Sequence, residues 1–188
     1  MATISYICIV FIEIFDMSIN YKDIKTKEEF DEALAEYMAK NPALKKAKPV
    51  ECLNLIMRKQ FAQQIVDGTK KVEFRAFSQH YVDRLIDQDV DNWMTDHVDD
   101  EEAMFFANHV RPVKKIHFHN YNNSWSLDVE CVRNDYCAPC QKDIDFLHEK
   151  WDCHELDEMC KDFDRKKATE RPMFFFFVVG KILNKQGL

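Results

Sequence analysis

The segment Gly68-Thr69-Lys70-Lys71-Val72-Glu73-Phe74-Arg75 places four chargeable side chains on a stretch that otherwise reads as a strand. Strand side chains alternate between faces, so Val72 and Phe74 enter a core while Lys71, Glu73 and Arg75 share the opposite face. Lys70 lies in the turn before the strand and escapes that parity. The chemistry is that of polar recognition. Lys70 and Arg75 can donate to phosphate or carbonyl oxygens, Arg75 as a planar fork, and Glu73 can accept from an amino or hydroxyl group such as a base edge or a 2′-hydroxyl. The plainer alternative is a solvated edge strand with an internal Glu73–Arg75 pair, because exposed ion pairs are common and contribute little.

Positioning those side chains falls to the residues around them. Arg58 to Val66 has helical spacing, with Phe61 and Ile65 four apart on one face, and Gly68 stands where a left-handed residue ends a helix. The unit therefore reads as helix, glycine stop, strand. Val113 to Phe118 and Trp125 to Cys131, bounded by Asn120, Asn122 and Asn123, read as paired antiparallel strands, and Met173 to Val179, apolar on both faces, as a buried strand.

With these elements in place the chain resembles the ASCH domains, small barrels related to the PUA domains of RNA-modifying proteins. Gly68, Lys70, Glu73 and Arg75 fill the family signature of glycine, any, lysine, two of any, glutamate, any, arginine. Leu53 to Met57 with Phe61 and Ile65 looks like the family's first strand and helix, and Tyr81 with Arg84-Leu85 like the tyrosine and arginine-leucine pair of some bacterial and phage members. Phe118-His119-Asn120-Tyr121 resembles a further strand end that lacks its usual glycine, and Phe175 to Leu183 the closing strand. The resemblance implies an α+β domain on a small, mostly antiparallel PUA-like β-barrel decorated with helices. It also implies a cleft that binds RNA or a nucleoside- or nucleotide-like ligand, with Gly68, Lys70, Glu73, Arg75, Tyr81 and Arg84 as binding residues. Tyr81 and the exposed one of Trp125 or Tyr121 are the candidate stacking surfaces.

Some members of that family are amidohydrolases acting on N4-acetylcytidine, with the signature lysine, a threonine at the signature glutamate position and a separate glutamate. Here that position is Glu73, Thr69 does not match, and Glu130 and Glu149 are available as the further acid. Lys70 and Glu73 are then the catalytic candidates, with Glu73 as general base for water beside a cation that keeps it ionised. Binding without turnover is the favoured expectation.

Charge narrows the ligand class. The 188 residues carry a formal net charge of −7, which disfavours partners such as extended duplex DNA, whose binding is mostly cationic. A nucleoside or short single strand is compatible. At 46% hydrophobic and 13% aromatic the chain can fill a core. Ile4 to Phe15 is apolar but lacks a basic flank and a cleavage site, is interrupted by Glu13, and is too short to span a bilayer, so the expectation is a cytoplasmic protein without a membrane partner. Translation could start at Met17, and the rival role for this run is a strand packed on the barrel.

The expected organisation is an N-terminal extension over 1–48, largely helical from residue 26, and an ASCH-like domain over 49–188 with helical insertions at about 83–110 and 137–170. In the extension, Thr26 and Glu29 have capping-box spacing, Phe30, Leu34, Tyr37 and Met38 form an apolar stripe, and Asn41-Pro42 begins a short helix to about Ala47. The aspartates of the first insertion read as a solvated face, since the loop spacing of a calcium site is absent. Gln141 to Lys167 reads as one amphipathic helix with Ile144, Leu147, Trp151, Leu156, Met159 and Phe163 inward.

Seven cysteines, an odd number without a secretory signal, suggest reduced thiols. No cofactor is expected. The alternative is zinc on Cys137, Cys140, Cys153 and either His154 or Cys160, which would make the chain a zinc-stabilised interaction module; Cys137 and Cys140 as a redox pair is a lesser option. His117 and His119, two apart on a strand, lack a third ligand.

Overall fold

The computed structural model describes residues 27–188. The apolar run Ile4 to Phe15, Cys8, the alternative start at Met17 and the capping residue Thr26 lie outside the described residues. In chain order the elements are α1 (Lys27–Lys40), β1 (Leu53–Ile56), α2 (Lys59–Val66), β2 (Val72–Ala76), α3 (Gln79–Leu85), α4 (Gln88–Asp96), α5 (Glu101–Phe106), β3 (Lys115–His119), β4 (Ser126–Cys137), α6 (Gln141–Trp151), α7 (Asp157–Cys160) and β5 (Phe174–Gln186). The chain divides into two compact units. Lys48–Leu85 and Val110–Leu188 form one, and, of the described residues, 27–47 with Ile86–His109 form the other.

The first unit is built on a sheet of strand order β1-β3-β4-β5-β2. β1 pairs with β3 in parallel and the other neighbours are antiparallel. The fold is α+β, but the sheet curls into an open half-barrel instead of closing, with β1 and β2 as its edges. The two edges meet at a seam. Residues of both edges line a cleft there, and the Arg75 guanidinium of β2 donates to the Ile56 carbonyl of β1 at 3.0 Å.

β5 is buried on both faces over Phe175–Val178, as its unbroken apolar run requires. Phe176 and Val178 pack with Val72, Ile144, Leu147 and Leu156 under α6. Phe175 and Phe177 occupy the opposite face, directly across from Arg75 and Glu73 of β2. Directly paired residues share a face. The charged side of β2 is therefore the side of two fully buried phenylalanines, and the solvated edge-strand alternative is corrected: β2 is an edge, but Glu73 is buried.

In the other unit, Tyr37, Leu44 and Ala47 share a core with Val90, Trp93, Met94 and Phe106, and Tyr37 stacks on Phe106 at 5.0 Å. The N-terminal helical segment and the residues expected as a separate insertion thus contribute to one core. The aspartates there do structural work. Asp87 accepts from the Asp89 amide and Asp100 from the Ala103 amide, capping α4 and α5. The short helix expected from Asn41 does not form; a turn stands there, with the Asn41 side chain donating to the Tyr37 carbonyl at 3.0 Å. Asn competes for the backbone in this way, which ends helices as readily as it starts them. Among the described residues no helix is long and apolar enough to cross a membrane.

Candidate functional site

α2 follows β1 directly, with Arg58 at its N-cap. Gly68 ends the connection with φ of +80°, a left-handed conformation that glycine adopts without steric cost. The Lys70 amide then returns to the Gln64 carbonyl at 2.9 Å, fixing the turn that sends the chain into β2. This compact reversal lays Lys70, Glu73 and Arg75 against the end of β1. They line a cleft of about 510 Å³ together with Ile56, Met57, Arg58, Phe61, Phe74, Tyr121 and Glu155.

Lys70 and Glu73 are only 8% and 6% exposed. Lys70 Nζ lies 2.5 Å from Glu155 Oε1 and 3.4 Å from Glu73 Oε2. Arg75 Nη2 lies 2.8 Å from Glu73 Oε1, so Glu73 stands between two cations. Burial pushes its carboxyl above the ordinary glutamate range, while the Arg75 and Lys70 cations pull the other way. The Arg75 Nε is buried without a hydrogen-bond partner, a donor whose desolvation costs on the order of 1–3 kcal/mol. Besides Phe74 of β2, two exposed aromatic rings complete the cleft. Phe61 is part-exposed with Lys70 Nζ 5.8 Å from its ring centre, and Tyr121 is 88% exposed. Phe61 therefore faces the cleft, whereas Ile65 and Ala62 fill the core side of α2.

Glu155 is the residue that sequence reasoning missed. The single helix expected over 141–167 ends at Trp151, because Asp152 turns left-handed with φ of +52° and the chain re-enters a helix only at Asp157. Asp is among the few non-glycine residues that visit this conformation. The break places Glu155 against Lys70 while Cys153 and Leu156 are buried, and it leaves Met159 exposed. The usable signal was Asp152 itself, a residue suited to a helix stop, directly after the last apolar position of a full turn.

The other candidates fall elsewhere. Tyr81 and Arg84 lie on α3 and do not line the cleft; Tyr81 packs edge-on to His80, and Arg84 meets the His80 ring at 3.3 Å. Trp125 is buried, so Tyr121 is the exposed one of the pair. Glu130 sits on β4 opposite Lys115, and Glu149 pairs with Lys150 at 3.0 Å; neither lines the cleft. His117 bonds to Asp128 at 2.5 Å and His119 to the Asn120 carbonyl.

Cys137 and Cys153 are buried in the core under α6, and burial pushes both thiols up, as it does Cys131 to about 12. Burial of this kind disfavours the thiolate, the form that acts as a nucleophile. Among the described residues, the group of three or more potential ligands whose donor atoms all lie within 4.8 Å of one another contains none of the cysteines: it is His148, His154 and Asp157.

No family model matches the chain, no curated protein matches it, and no solved structure matches it.

Proposed function

We propose that the cleft binds a nucleoside-like ligand, in the manner of an ASCH-type, PUA-like module, with the base edge on Glu73 and Arg75 and the base face on Tyr121 or Phe61. The observation that carries this is the cluster of buried Lys70 and Glu73 with part-buried Arg75, open to a cleft that Phe61, Phe74 and Tyr121 line. Charge balance favours a neutral base over a phosphate chain. Lys70 and Arg75 already face Glu73 and Glu155, two cations against two carboxylates, and a phosphate placed on them would meet both acids. Arg58, exposed beside the cleft, is the additional cation and suits a 5′-phosphate or the next nucleotide of a single strand.

Titration of the purified chain with unmodified and modified nucleosides, and with short single-stranded RNA at low and high salt, tests this. Saturable nucleoside binding with little salt dependence supports the reading. Binding to RNA alone with a steep salt slope, the mark of phosphate contacts, overturns it.

A second reading is favoured by the position of Lys70 between Glu155 and Glu73. In an amidohydrolase acting on an N4-acylated cytidine, Glu155, half-exposed, would take a proton from water as its oxygen attacks the acyl carbon. Lys70 would face the developing oxyanion. The carbon–nitrogen bond then breaks, the amine leaves with a proton, and a carboxylate and cytidine are the products. Chromatography of N4-acetylcytidine after incubation reads this directly: cytidine that appears with wild type and not with Glu155→Gln supports it, and its absence with wild type rejects it.

A further inference from the structure

The helix break that carries Glu155 also gathers three ligand-type side chains on the far side of the same connection. His148 stands in the last turn of α6, and His154 and Asp157 follow the left-handed residue Asp152. His148 Nε2 lies 2.7 Å from Asp157 Oδ1, and His154 Nδ1 lies 3.1 Å from Asp157 Oδ2. The two imidazole rings are 4.0 Å apart, so both present a nitrogen to one carboxylate. In a tetrahedral zinc site with bonds of about 2.0 Å, neighbouring donor atoms stand roughly 3.3 Å apart. The two contacts to Asp157 are shorter than that edge and all three donor atoms lie within 4.8 Å of one another, so small rotamer changes would open the group around an ion.

A surface hydrogen-bonded cluster would account for the two contacts to Asp157. The contact behind them is open to the same account, since a protonated imidazole donates from both nitrogens, but it is also the arrangement that a metal ligand needs. His154 turns its other nitrogen, Nε2, toward Asp152 Oδ1 at 3.4 Å. A carboxylate behind a histidine is what fixes the tautomer and ring orientation of a zinc-ligating imidazole. We propose that His148, His154 and Asp157 bind a divalent zinc-class ion, with Asp152 orienting His154 and a fourth position left to water. Two imidazoles and one carboxylate suit zinc and its neighbours in the first transition row, and disfavour magnesium and calcium, which take oxygen ligands.

The consequence for the molecule lies in the residue between the ligands. Glu155 lies between His154 and Asp157 in the sequence, and its side chain reaches Lys70. An ion held by His148 on α6 and by Asp157 at the start of α7 staples both ends of the connection that delivers Glu155. The site stands independently of what occupies the cleft.

The test is titration of the full chain, stripped with chelator, with zinc chloride by calorimetry, alongside magnesium and calcium. A single equivalent of zinc should bind, with slowed amide exchange over 152–157. His148→Ala and Asp157→Asn should each weaken zinc by at least about tenfold, and Asp152→Asn by roughly 10–100-fold. Asp157→Asn keeps the shape of the side chain, and unchanged circular dichroism of the metal-free variants excludes unfolding as the cause. The double variant Cys137→Ser, Cys140→Ser should bind as wild type does. No zinc uptake by wild type, uptake that survives His148→Ala and Asp157→Asn, or loss in the cysteine variant would each overturn the assignment.

Discussion

Asp100 and Glu73 are both acidic side chains beside backbone that they help to place, yet one works in water and the other in a dry seam. In the helical unit, Asp100 is exposed, accepts the Ala103 amide at 3.0 Å and caps α5. Asp87 does the same for α4. Such a carboxylate satisfies an orphan amide and favours the positive end of a short helix, so structure alone explains it. Glu73 is set opposite Phe177, where an aliphatic residue would pack without any desolvation cost, and it keeps Lys70 buried and Arg75 part-buried beside it. Buried ion groups of this kind are seldom the most stable solution for a core. The contrast teaches where to look for recognition: at charge that the fold must bury, not at charge that the fold uses as a cap.

Removing one member of the buried group should have the largest effect. Lys70→Ala leaves Glu73 buried with one partner fewer, and urea unfolding should show a loss of about 3 kcal/mol, the scale of breaking a buried pair. A loss under about 1 kcal/mol, the scale of an exposed pair, would place Glu73 with the surface acids and break the comparison. In the helical unit, Asp100→Ala should cost about 1 kcal/mol by the same measurement, as a lost cap does. Asp96→Asn and Asp99→Asn, exposed and outside the caps, should stay within about 0.5 kcal/mol of wild type.

Acidification sharpens the contrast through Glu73. Its carboxyl titrates above the ordinary range when folded, so the folded chain holds that proton more tightly than the unfolded chain. The stability it contributes is fully present below the unfolded pKa and is lost as pH rises through the folded one. Relative to Glu73→Gln, wild type should therefore gain stability as pH falls from neutrality into the ordinary glutamate range. A shift in the opposite direction would mean that the two cations outweigh burial.

The charged grouping was legible because its parts are local. Gly68, Lys70, Glu73 and Arg75 lie within one turn and one strand, and the parity of a strand fixes their faces. What parity could not supply was the environment of that face. The charged side turned out to be the phenylalanine side, because the register of β2 against β5 is set by pairing over a sequence separation of about a hundred residues. Glu155 was missed for a related reason. Leu147 and Trp151 keep helical spacing, as do Leu156, Met159 and Phe163, and the stripe slips only at the five-residue step from Trp151 to Leu156, where Asp152 turns left-handed. Phe61 and Tyr121 show the same limit at single residues, since an aromatic at helical spacing or in a loop carries no mark of whether a core or a cleft receives it.

Calorimetric titration of N4-acetylcytidine into wild type and Arg75→Lys tests the central claim most directly. The account requires saturable binding by wild type and at least about a tenfold weakening in Arg75→Lys, because a lysine cannot reproduce the planar fork that holds Glu73, the Ile56 carbonyl and a base edge together. No binding by wild type, or equal binding by the two proteins, would contradict it.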